Sequence, residues 1–150
     1  MTLLLSLHAL AAVVWVGGMF FAYLVLRPAA GRLEPPHRLA LWRGVFARFF
    51  PWVWSAILVL LVSGYGMVLG LMGGFAGVGL HVHIMQALGI VMMLLFAHLF
   101  FAPWRRFHRA VDGGEFEKAG GQLAVIRRIV AVNLVLGLLV VVIGSGGRYW

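Results

Sequence analysis

Six polar side chains lie inside long apolar stretches of this chain: His8, His81, His83, Gln86, His98 and Asn133. Neutral imidazoles ligate metal ions and haem iron, and a polar group within a membrane is costly enough to mark a site by default. Gln86 adds a hydrogen-bond donor for a liganding imidazole or the face of a bound ring. Met19, Met67, Met72 and Met85 add thioethers, which suit soft metals. The absence of cysteine excludes a disulfide scaffold, a Cys-ligated zinc or iron–sulfur site, and covalent haem attachment through C-x-x-C-H. No apolar stretch carries a carboxylate pair or a nucleophile triad, so hydrolytic chemistry is excluded.

The elements that position these residues follow from composition. Of 150 residues, 63% are hydrophobic and 11% charged, against roughly 45–50% and 25% in a soluble domain. The mean hydropathy is +1.03. A chain this short cannot bury so much apolar surface within itself. It reads as a single membrane domain over residues 1–150, an all-α antiparallel bundle of four transmembrane helices. The spans are Leu3–Leu26, Pro51–Met72, Leu80–Ala102 and Ile129–Gly146, each near the ~20 residues that cross a bilayer. The first lacks a basic leading region and a clean cleavage site, so it reads as a retained span rather than a signal peptide.

Eleven of the twelve basic residues fall in two segments, Arg27–Phe50 and Pro103–Arg128, and only Arg148 lies at the other end. The positive-inside rule places both segments in the cytoplasm. Both termini and the glycine-rich Gly73–Gly79 turn then lie outside, in the periplasm of a multi-pass protein of the bacterial inner membrane. The net charge of +8 is thus a topology signal, and nucleic acid is excluded as a partner. Pro36–Phe50 is expected as an amphipathic helix on the inner surface. Trp42, Trp52, Trp54 and Trp104 are expected as an inner aromatic belt, with Tyr149 and Trp150 as an outer one.

Helical period sets the facing of the candidates. His8 lies about 9 Å inside the first span and shares a face with Ala11, Ala12, Trp15 and Met19. His81 and His83 are about 200° apart on the third span, so they cannot aim at one target. His83 falls with Gln86, Ala87 and Ile90, and His81 with Met85, Leu88 and Met92. The small, polar arc is expected to face the bundle, which favours His83 as the partner of His8. His98 and Asn133 lie at similar depth and are expected to satisfy one another. His37 and His108 are expected to be solvated.

Two histidines on facing helices could take both axial positions of a haem b. His8 and His83, or His81, would be the ligands. Trp15, Gly64 and Gly66 would shape the pocket, Gln86 would support an imidazole, and Arg148 would anchor the propionates. The protein would then exchange electrons with a quinone, a porphyrin or a periplasmic partner. The alternative is copper, held by His81, His83, Met67, Met72 and Met85. A third reading is a structural subunit whose histidines only hydrogen-bond. A homo-oligomer through the Gly137–Gly144 face is compatible with its small residues.

The stretch LHALAAVVWVGGMFF (Leu7–Phe21), with its His8, Trp15 and Gly17 or Gly18, resembles the first helix of the CopD copper-resistance family and of the HemJ-type protoporphyrinogen oxidases. LHVHIMQALGIVMMLLFAHLFFAPWRRF (Leu80–Phe107) resembles their third helix, with an early histidine, a late histidine and a basic exit. The resemblance implies four membrane helices that bind haem b through histidines of the first and third helices. For the HemJ branch it implies a membrane oxidoreductase acting on protoporphyrinogen, and for the CopD branch a role in copper handling. By position it puts the third-helix ligand on His81, where facing favours His83. The HemJ lysine is replaced by His83, and the fourth span lacks that branch's proline- and glutamate-bearing stretch, which favours the CopD side.

Overall fold

A computed structural model describes residues 1–147. Arg148, Tyr149 and Trp150, expected as the propionate anchor and the outer belt, lie outside the described residues. Four long apolar helices make up the fold: α1 (Thr2–Ala30), α2 (Pro35–Gly70), α3 (Leu80–Asp112) and α4 (Phe116–Gly146). A helix is the form a single apolar segment takes in hydrocarbon, because it satisfies every backbone group internally. The faces turned away from the bundle carry exposed Leu10, Leu58, Val62, Leu94, Val135 and Val142, as lipid contact requires. The four apolar runs seen in the sequence are therefore the four membrane helices of an all-α bundle.

The helices run beyond those runs. Pro51 does not end α2, which continues from the basic segment into the apolar one without a break. A 36-residue helix is about 54 Å long, well beyond the ~30 Å of hydrocarbon. Pro36–Phe50 is therefore not a separate surface helix but the extension of α2. Pro103 likewise lies inside α3, where Phe100–Trp104 widens into a π-helical turn. Proline cannot donate to the carbonyl four residues back, and the wider turn absorbs that loss. Phe21–Leu26 of α1, ahead of Pro28, widens in the same way.

The connections are correspondingly short. Residues 31–34 join α1 to α2, and residues 113–115 join α3 to α4. Residues 71–79 join α2 to α3 through Gly73 (φ 75°) and Gly74 (φ 84°), a left-handed pair that side chains oppose.

At the basic end, α2 and α3 lock through aromatic rings. Phe46 stacks on Phe50 at 5.1 Å, and Phe50 meets Phe96 edge-on at 5.4 Å and Trp104 at 5.2 Å. Trp54 packs on Phe96 at 5.2 Å, and Trp15 of α1 reaches the same ring at 6.2 Å. Trp42, Trp54 and Trp104 are thus members of this cluster and not a belt, while Trp52 alone of the four is exposed. Beyond the rings, Arg43 grips Asp112 with two hydrogen bonds, Nε to Oδ1 at 2.6 Å and Nη2 to Oδ2 at 2.9 Å. His108 joins them 3.2 Å from Asp112 Oδ2 and stacks on Trp104, so it is partnered rather than freely solvated.

Midway along the bundle three helices meet at Gly137. A Cβ there would lie 2.9 Å from Val16 of α1 and 3.1 Å from Met92 of α3. Gly137 is thus used within the chain, while Gly144 remains exposed.

Phe50 contacts rings on both helices, so truncation should open a cavity. Phe50→Ala should cost about 3 kcal/mol in detergent unfolding, and Trp52→Ala, at an exposed position, within about 0.5 kcal/mol. Equal effects would show that the cluster does not hold the bundle together.

Candidate metal-binding site

The candidate donors gather toward the glycine-turn end of the bundle, opposite the aromatic cluster. There α1 packs on α2, and α3 packs on α4. His8 is half-buried, with Nδ1 2.9 Å from Ser63 Oγ. Ser63 is itself buried and donates its one proton to the Val59 carbonyl at 2.5 Å. Ser63 Oγ must then accept, so His8 carries its proton on Nδ1 and keeps a free lone pair on Nε2. Gly64 makes the room: a Cβ there would lie 3.2 Å from His8 Cε1. Gly66 does the same for Leu4, at 3.6 Å. The small residues of α2 are therefore filled by side chains of α1. Trp15, the other α1 candidate, is buried against Phe96.

The facing of α3 is the reverse of that expected. Over Leu80–Leu99 its buried residues are Met92, Phe96 and Leu99, and His83, Ala87 and Ile90 are exposed. The packed face carries Met85 and Met92, which lie against Gly144 and Gly137 of α4, so the small residues that allow close approach are on the facing helix. His81 and Met85 lie on the packed face, one turn apart. His81 sits directly against Gly147, and Met85 against Gly144, where a Cβ would be 2.9 Å from Met85 Cε and 3.3 Å from Sδ. His81 and Met85 are i and i+4 and so share one face of the helix, the imidazole edge (Nδ1 and Cε1) lying against Gly79 and the thioether against Gly144.

His83 lies beside Phe75 of the turn, ring centroids 6.1 Å apart. Gln86 donates to the Tyr65 hydroxyl at 3.1 Å and so serves α2 and not an imidazole. Deeper in the bundle, Asn133 is buried and donates to the Met92 carbonyl at 3.2 Å, leaving its Oδ1 without a partner. His98 is exposed, about 120° round α3 from Met92. The expected His98–Asn133 bond is therefore absent. Met67 is buried in α2, and Met72 is half-buried in the turn after it.

The three outer histidines are each turned onto a different neighbour: His8 onto α2, His81 onto α4, His83 onto the turn. A haem needs two imidazoles aimed at one iron from opposite sides, whereas the contacts of these three are with separate neighbours. Among the described residues no three His, Cys, Asp or Glu side chains form a metal-holding group. The side chains at this end that could meet a metal are imidazoles and thioethers, donor types that suit soft cations.

The fold defines a polytopic membrane protein. A family model described as copper resistance protein D (CopD) matches residues 43–146, well over half of the chain, and the protein belongs to this family. It is accordingly a copper-resistance-related protein of multi-pass membrane localisation. The matched stretch contains His81, His83, Met85 and Gln86, and His8 and Trp15 precede it. No curated protein and no solved structure matches the chain.

As a residue type Ser63 does not stand out in the sequence. Its depth was the available signal: it lies seven residues from the end of α2, level with His8 six residues into α1. Nitrogen-15 NMR of labelled protein should show His8 protonated at Nδ1. Ser63→Ala should erase that preference, Ser63→Thr should keep it, and the stability loss in Ser63→Ala should be near 0.6 kcal/mol. A wild-type His8 protonated at Nε2 would contradict the assignment.

Proposed function

We propose that this CopD-family protein takes copper(I) as its substrate at the glycine-turn end, with His81 and Met85 as the first donors. The observation that carries this reading is the placement of that imidazole and that thioether one turn apart on one face of α3, over the glycines of α4. Copper(I) is soft and favours thioether with imidazole. The family match, which covers both residues, supports the same metal.

His8 extends the reading inward. It lies about 9 Å from the start of α1, and the Ser63 hydrogen bond leaves its Nε2 free to receive a metal. This end carries none of the described basic residues, which by the positive-inside rule makes it the outer, periplasmic end in a bacterial inner membrane. Copper would then be met from outside by His81 and Met85, with His8 as a deeper donor. The haem b reading, with electron exchange to quinone or a porphyrin, requires an axial histidine pair, whereas the three outer histidines contact separate neighbours.

Competition against a chromogenic copper(I) chelator, on protein purified in detergent, tests the reading. Wild type should bind copper(I), and His81→Ala and Met85→Leu should each weaken binding about tenfold or more. Met19→Leu, buried at the Trp15 level of α1, should have no effect. Wild-type affinity in the His81→Ala/Met85→Leu double variant would overturn the proposal. So would a haem spectrum in the purified protein that His8→Ala abolishes.

A further inference from the structure

At the other end of the molecule, three arginines from three helices meet around a small notch. The cavity holds about 20 Å³ and is lined by Tyr23 and Arg27 of α1, Trp42 and Phe46 of α2, and Ile126 and Arg127 of α4. Arg38 stands one turn before Trp42, on the same face of α2. Arg27 and Arg127 both line the notch, and burial first, then the nearby charges of Arg27 and Arg38, weigh against the charge on Arg127. Among the described residues none of these three takes part in an ion pair, whereas Arg43 is held by Asp112 and Lys118 by Glu115. The Arg27 guanidinium lies over the Tyr23 ring at 4.8 Å, which fixes it at the rim.

Three like charges gathered around one notch repel each other, and among the described residues no carboxylate pairs with them. The floor beneath them is apolar: Ala22, Phe46, Ile126 and Val130. The chemistry that completes such a site is a phosphate oxyanion. Guanidinium groups bind it through paired, charge-assisted hydrogen bonds, and basic pockets between membrane helices take phosphate headgroups.

We propose that Arg27, Arg38 and Arg127 form a phosphate-binding notch at the basic end of the bundle. An anionic phospholipid fits both features, its headgroup phosphate between the arginines and its chain along the apolar wall. Free phosphate would satisfy the arginines alone. Either way the ligand ties α1, α2 and α4 together where their own charges push them apart.

The full-length protein in detergent provides the test, by thermal unfolding with added phosphatidylglycerol, phosphatidylcholine or inorganic phosphate. Phosphatidylglycerol should raise the Tm by roughly 5 °C, and phosphatidylcholine should not. An equal rise with inorganic phosphate would identify the free anion as the ligand; a rise with the lipid alone would identify the headgroup. Both results support the notch. Arg38→Gln/Arg127→Gln should abolish the rise, and Arg105→Gln/Arg106→Gln, on exposed positions of α3, should retain it.

A purely structural role is separated by the Tm without ligand. Loss of mutual repulsion should leave the Arg38→Gln/Arg127→Gln protein at or above wild type. A lower ligand-free Tm in that variant would overturn the proposal. So would an equal response to both lipids, or one lost equally in the two double variants.

Discussion

In hydrocarbon nothing pushes one apolar helix onto another, because lipid tails are as good a neighbour as leucine. The bundle therefore depends on close contact, and the contact that organises the rest is the interlocking of α2 and α3 rings around Phe46 and Phe50. Each well-placed aromatic pair adds about 0.5–1.5 kcal/mol beyond the area it buries. The rings run from Trp42 to Trp54 on α2 and from Phe96 to Phe107 on α3. They hold these two helices together through their basic extensions, where Arg43 and Asp112 close the end. Trp15 and the three-helix contact at Gly137 then bring α1 and α4 onto this frame.

The consequence for chemistry lies at the opposite end. Away from the rings the helices pack as two pairs, and the contacts between side chains and glycines decide what each polar group can reach. Gly64 admits the His8 ring, and Ser63 fixes its proton. Gly144 and Gly147 let His81 and Met85 settle on α4. A methyl group at any of these glycines would displace the donor it receives. On the proposed reading these side chains would offer nitrogen and thioether sulfur without a carboxylate among them, a set that suits a soft cation better than calcium or magnesium.

Much of this was legible in the sequence. Four runs of apolar residues near bilayer length can do little but form four helices. The polar residues within them are few enough to name in advance. Facing was harder. On α3 the arc with Gln86 and two alanines looked like the packed one, yet Met85, Met92, Phe96 and Leu99 won it, because the small residues that allow close approach, Gly144 and Gly137, are on the facing helix. Gln86 was satisfied by Tyr65, a partner 21 positions away that no local pattern signals. Pro51 and Pro103 looked like boundaries, but a proline inside a long helix costs one hydrogen bond that neighbouring packing and a wider turn can absorb. The tryptophans fit an interfacial belt by spacing. Only the register of α2 against α3 turns them into a core.

The most direct test of the copper assignment is X-ray absorption spectroscopy of the purified protein loaded with one equivalent of copper(I). The proposed donor pair predicts a mixed shell, with imidazole nitrogen and one thioether sulfur, and Met85→Leu should remove the sulfur contribution while leaving nitrogen. A shell of nitrogen and oxygen alone in the wild-type protein, or a sulfur signal unchanged by Met85→Leu, would contradict the assignment of His81 and Met85 as the donor pair.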